Sequence, residues 1–146
     1  MIFISKILLI IDNDTLEKYN QYYFKQYPKR KKQPIEKPTH PSINKWMIMK
    51  RPMMNDLKQK IKEFIIWFVE DNGLTNKQID KCDMTFISFF KTKIRTDVDN
   101  YAPKFFMDGL VEAGLIVDDD YKHVESITLK CEYDKERPRT EIYIEY

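Results

Sequence analysis

Residues 84–120 read MTFISFFKTKIRTDVDNYAPKFFMDGLVEAGLIVDDD, and the order of local signals in this stretch decides the fold class. Met84 to Lys93 has the β-branched and aromatic content of a strand and leads directly into Asp97-Val98-Asp99-Asn100. Asn100 can cap a helix whose inner face carries Phe106, Leu110 and Ala113 and whose end is marked by Gly114. The apolar Leu115-Ile116-Val117 then delivers the chain to an acidic turn, Asp118-Asp119-Asp120. A helix from Tyr101 to Ala113 advances about 20 Å at 1.5 Å per residue. The segment after Gly114 must therefore fold back for the two acidic segments to meet in one chain; otherwise they meet across a subunit boundary.

Working outward, residues 2 to 11 read as a buried strand, with Asp12-Asn13-Asp14 available to cap a weakly helical Thr15–Gln26. Residues 28 to 42 hold four prolines and many lysines, which predicts an extended, flexible connection. Asn55 is the expected N-cap of a helix to Asp71 with Leu57, Ile61, Phe64, Ile65 and Phe68 on one face, ended by Asn72-Gly73. Trp67 lies beside that face, and Trp46 is expected to pack near the Pro41-Ser42-Ile43-Asn44 turn. Ser126–Tyr133 and Thr140–Glu145 alternate like paired strands around Asp134-Lys135-Glu136-Arg137-Pro138. The expectation is one α+β domain over residues 1–146, ending in a hairpin.

With 146 residues, 42% of them apolar and 14% aromatic, the chain can build one hydrophobic core. Cys82 and Cys131 lack CxxC spacing and read as free thiols. MIFISKILLII at the start falls short of the roughly 20 residues a membrane span needs and lacks the pattern of a signal peptide, so a cytoplasmic protein with no membrane partner is expected. The net charge of +2 hides an asymmetry: residues 1–62 hold 14 Lys/Arg against 5 Asp/Glu, and the remainder 11 against 18. A basic half for phosphate beside an acidic half for metal suits a nucleic-acid enzyme. Lys29-Arg30-Lys31-Lys32 sits among Tyr19, Tyr22, Tyr23, Phe24 and Tyr27, so bases could stack where these four cations neutralise phosphates.

If the chain remains extended through Asp97 and Asp99, their side chains share one face about 7 Å apart and both can address one ion. Magnesium takes hard oxygen ligands, usually one or two carboxylates plus water and phosphate. Lys104 would stabilise charge developing on a reacting phosphate. Leu8-Leu9-Ile10-Ile11-Asp12-Asn13-Asp14-Thr15 superficially resembles the opening of haloacid dehalogenase phosphatases. It lacks their glycine and the following α/β repeats, so a strand and a helix cap suffice. His40 and His123 are lone histidines, read as surface or hydrogen-bonded residues.

Taken together, Asp97-x-Asp99-Asn100, Lys104, Asp108-Gly109-Leu110, Gly114, Asp118-Asp119 and Val124, with Pro41-Ser42-Ile43-Asn44 upstream, resemble the RusA-type Holliday junction resolvase family over residues 41–146. The resemblance implies a homodimer with a small mixed β-sheet of about four strands flanked by helices. It implies catalytic Asp97, Asp99, Asp119 and Lys104, the three aspartates binding Mg2+ with Mn2+ able to substitute, and Asp118 the alternative ligand to Asp119. It implies paired nicks in four-way DNA junctions, and a nucleoid association when DNA is bound. Asn44 and Lys130 join Lys29–Lys32 as expected DNA contacts. Two departures stand out: one extra residue between Asn100 and Lys104, and residues 12–40, which read as a flexible basic insertion. A non-cutting DNA-binding module on the same scaffold is the alternative function.

Overall fold

The computed structural model describes residues 2–146. Strand β1 (Lys6–Asp12) passes directly into α1 (Asn13–Gln26), and Asp12 is the N-cap. Its carboxylate accepts the Thr15 N–H at 3.0 Å, while Thr15 Oγ1 accepts the Asp12 N–H at 3.2 Å, a reciprocal capping box. A short α2 (Ile43–Trp46) is capped by Ser42, and the long α3 (Arg51–Asp71) follows. The N-cap of α3 is Lys50, five residues before the expected Asn55, because Pro52 suits the first turn, where its missing N–H costs nothing. It ends as expected at Asn72-Gly73, with Gly73 at φ +69°.

Strand β2 (Cys82–Phe90) is followed by a 3-10 turn (Val98–Tyr101), helix α4 (Lys104–Glu112), and strands β3 (Val124–Tyr133) and β4 (Arg139–Glu145). The four strands form one mixed sheet in the order β1-β4-β2-β3, flanked by helices. The expected terminal hairpin is overturned: β2 lies between β3 and β4, parallel to the first and antiparallel to the second. Both strands alternate, which is why they read as partners, but their burial differs. Only Val124 of β3 is fully buried, as suits an edge, whereas Thr140, Glu141, Ile142 and Ile144 of β4 are buried. The turn after Tyr133 crosses the carboxyl end of β2, where the Asp134 N–H donates to Phe90 O at 2.9 Å.

One face of the sheet carries the core. Leu9 and Ile11, Met84 and Phe86, and Ile142 and Ile144 point to it by strand alternation and meet buried residues of α1, α3 and α4. Gly109 lets α4 lie close on α3, since a Cβ there would sit 2.5 Å from Ile65 Cβ. Residues 12–40 are not a free arm. Tyr19 and Tyr23 are core residues, Pro34, Ile35, Pro38 and His40 are buried, and Thr140 Oγ1 donates to Pro38 O at 2.7 Å. The basic residues 29–32 are exposed, as is the outer face of α1. Cys82 and Cys131 are free thiols, the first buried and the second partly so. Among the described residues no helix is long and apolar enough to cross a membrane.

Candidate active site

The parallel pair β2/β3 is joined by a crossover containing the 3-10 turn and α4, and the acidic residues lie at both ends of that helix. Asp97 to Asn100 follow the carboxyl end of β2, where crossover connections of parallel strands commonly leave a crevice. Extended geometry stops short of them: β2 ends at Phe90, Asp97 is the N-cap of the 3-10 turn and Asp99 lies in its first turn. At three residues per turn, positions two apart do not share a face, so the expected strand-like pairing of Asp97 and Asp99 is corrected. Both side chains are exposed.

Asn100 is not the helix cap the sequence suggests. Its Oδ1 accepts the Asn44 N–H at 3.1 Å, and its Nδ2 donates to Thr96 Oγ1 at 3.3 Å. The Pro41–Asn44 segment and the Asp97–Asn100 segment, 56 residues apart at the bonded pair, are thereby joined. Helix α4 begins at Lys104, with Pro103 as its N-cap, so the extra residue before Lys104 is absorbed in the break between the 3-10 turn and the helix.

His40 holds that helix end and was missed as a site component. Its Nε2 accepts the Phe105 N–H at 3.0 Å, and its Nδ1 donates to Pro41 O at 2.8 Å, so one ring spans the motif and a helix N–H that no intrahelical carbonyl serves. The ring stacks on Phe105 and meets Phe106 edge-on at 4.9 Å. Burial lowers its pKa to about 4, keeping the imidazole neutral as the acceptor role requires. Trp46 packs on the same Phe105 ring at 5.1 Å. A lone histidine before Pro-Ser gives no sequence signal of this role.

Asp108 lies four residues after Lys104 and therefore on the same side of α4, a spacing visible in sequence. Its Oδ2 is buried without a hydrogen-bond partner among the described residues, and the nearest cation is Lys58 Nζ at 3.9 Å. The Asp119 carboxyl is held above its ordinary pKa by burial and by the negative neighbours Asp118 and Asp108. The chain leaves α4 in a tight turn, with the Leu115 N–H donating to Leu110 O at 3.1 Å. Within the acidic turn, Asp118 Oδ1 accepts the Asp119 N–H at 2.7 Å and Asp120 Oδ1 accepts the Lys122 N–H at 3.1 Å. Its place in the sheet is fixed by the Ile79–Ile116 bridge and the Cys82–Val124 pairing, at the amino end of β2.

Crowded carboxylates and an unpartnered carboxylate oxygen are hard donors that a divalent cation would satisfy. Among the described residues, however, no group of three or more Asp, Glu, His or Cys side chains stands close enough to hold an ion. Of the expected DNA contacts, Lys29, Lys31 and Lys32 are exposed. Arg30 is engaged internally, donating to Tyr23 Oη at 2.7 Å and lying 4.2 Å from the Tyr27 ring centre. Tyr19 and Tyr23 are buried and have no face for a base. Lys130 pairs with Ile87 and so points to the sheet face opposite the helices. His123 is bonded to the Asp80 carbonyl at 2.7 Å. Neither a scan against protein-family models nor a search of curated proteins returns a match.

Proposed function

We propose that this chain is a metal-dependent, structure-selective endodeoxyribonuclease that resolves four-way DNA junctions, acting as a homodimer whose two sites cut opposing strands. The observation carrying this reading is the Asn44–Asn100 contact. It unites two short motifs distant in sequence and leaves Asp97 and Asp99 exposed beside the helix that begins with Lys104.

Each residue has a defined task in this reading. Asp97 and Asp99 would hold Mg2+ or Mn2+, and Asp119 or its neighbour Asp118, which lie at the opposite end of β2 in the same chain, would complete the site across the dimer. When bound, such an ion supplies polarisation of the phosphate and a lowered pKa for the attacking water. Lys104 sits at the positive end of the α4 dipole, so lysine and helix both favour a phosphate there and both stabilise charge that grows on its oxygens. Asn100 and His40 position these groups from behind, the first through the acidic turn and the second through the Phe105 amide.

Asp97→Asn and Asp99→Asn test the assignment. Each is expected to abolish junction cutting in Mg2+ while leaving junction affinity intact in gel-shift titrations, because the lost group serves cleavage and not the basic surface. Full cutting by both variants would sink the site. Tight binding without cutting by wild type would leave the non-catalytic binding module.

A further inference from the structure

A cavity of about 690 Å³ opens between the residue 32–42 segment, the first half of α3 and the carboxyl end of β2, and Tyr101 of the acidic 3-10 turn is part of its wall. We infer that this cavity receives one unpaired nucleotide of the DNA, with the base against its apolar wall and the phosphate at its lysines. The inference rests on the nuclease reading, which it deepens by naming what the site recognises beside the scissile bond.

Three observations carry it. The first is size, since the cavity of about 690 Å³ falls among the roughly 300–1,000 Å³ of pockets that bury small ligands. The second is an apolar surface left uncovered. Met53 is 60% exposed and Ile94 is 45% exposed, yet both line the same cavity. With them stands Tyr101, whose ring packs on Phe90 at 4.7 Å and is thereby fixed in orientation. An aromatic ring such as Tyr101 takes the face of any base, so the contact tolerates sequence. The third is charge. Five of the lining residues are lysines against two carboxylates. Of these lysines, Lys37, Lys45 and Lys91 form no ion pair among the described residues, while Lys60 and Lys32 pair with Asp56 and Glu36. An apolar wall rimmed by cations matches an aromatic base joined to a phosphate; an uncharged apolar ligand would leave the cations unused.

The place of the cavity fits the chemistry. Lys45 follows Asn44, which is bonded to Asn100, so the lysine rim and the acidic turn are parts of one connected surface. A matched duplex keeps its bases stacked and presents only phosphate. A base that is mismatched or already unpaired is extruded at least cost, so a pocket for an unpaired nucleotide favours DNA with opened or unpaired positions over matched linear duplex.

The test uses the full chain in chelator, so that no cutting intervenes, and reads affinity by fluorescence anisotropy. The probes are oligothymidylate, a duplex with a central unpaired thymidine, a fully matched duplex, and thymidine monophosphate as competitor. Met53→Ser/Ile94→Ser, at exposed positions and checked for folding by circular dichroism, is expected to weaken binding of the first two probes about tenfold and the matched duplex hardly at all. Lys45→Glu/Lys91→Glu is expected to weaken all three DNAs and flatten their salt dependence. Competition by the free mononucleotide that the Ser variant loses would identify the same pocket as open to free nucleotides. Unchanged binding of the unpaired probes by Met53→Ser/Ile94→Ser, or equal loss on the matched duplex, overturns the inference. Failure of the nuclease reading looks different: wild type in Mg2+ or Mn2+ cuts no DNA while the probe selectivity persists.

Discussion

The two acidic segments flanking α4 are held by opposite means. Asp97–Asn100 borrows its order from elsewhere: Asn44 bonds Asn100, and the adjoining helix end is held by His40. Asp118–Asp120 is ordered by its own backbone, with Asp118 and Asp120 accepting N–H groups one and two residues on. The first segment presents exposed carboxylates on a turn tied to a distant motif. The second sets Asp119 near enough to Asp118 and Asp108 for their negative charge to add to burial in raising its pKa. A turn tied to remote residues can be adjusted from a distance, whereas a self-ordered turn responds only to local change.

Perturbations of the two segments should therefore separate. Apart from the aspartates that would hold the metal, the largest effect is expected from Lys104→Ala, which removes charge stabilisation at the helix end between them. Junction cutting should fall about 10²- to 10³-fold with affinity changed far less, as single-turnover kinetics would show. Unchanged rates would remove Lys104 from the chemistry.

His40→Ala comes next, because it leaves the Phe105 N–H buried without an acceptor and opens a gap under two aromatic rings. A loss of about 3 kcal/mol in denaturant unfolding is expected. The wild-type pH dependence carries the same signature. The folded-state pKa of about 4 lies below the ordinary 6.5, so the unfolded chain binds the proton more readily. The His40 contribution is complete above about 6.5 and is lost as pH falls from there through about 4. The Ala variant should lack that slope, and an identical slope in both proteins would assign it to other groups.

How much of this was legible in the sequence follows from what each signal measures. Strand and helix content came through because it depends on local periodicity. The capping role of the Asp12 region and the stops at Gly73 and Gly114 were legible for the same reason, both glycines having positive φ. Pairing was not legible: Ser126–Tyr133 and Thr140–Glu145 alternate alike, and nothing local says that β2 enters between them. Asn100 carried the right residue type for a cap, but a tertiary partner claimed its side chain. The basic-aromatic run at 19–32 looked like a nucleic-acid surface, yet helical spacing turns Tyr19 and Tyr23 into the core and Arg30 folds back on Tyr23 and Tyr27. Lys104 and Asp108 were recoverable from their i, i+4 spacing alone, and His40 from nothing short of the fold.

Smaller effects sharpen the contrast between the segments. Asn100→Ala should cost about 1 kcal/mol of stability and broaden amide signals of residues 96–101, leaving those of 118–120 in place. Equal disturbance of both turns would show that they are one unit. Asp118→Asn should lower the Asp119 pKa toward the ordinary carboxylate range by removing one negative neighbour, and carbon-detected NMR titration reads this directly. A pKa that does not move would leave burial and Asp108 as its causes.

The central claim is tested most directly by cutting of a synthetic four-way junction and a matched linear duplex by wild type and Asp99→Asn, in Mg2+, in Mn2+ and in chelator. Wild type is expected to make paired nicks on opposing strands of the junction, dependent on the metal, absent from the duplex and lost in Asp99→Asn. Junction binding with no cutting by wild type under either metal, or equal cutting by the variant, would contradict it.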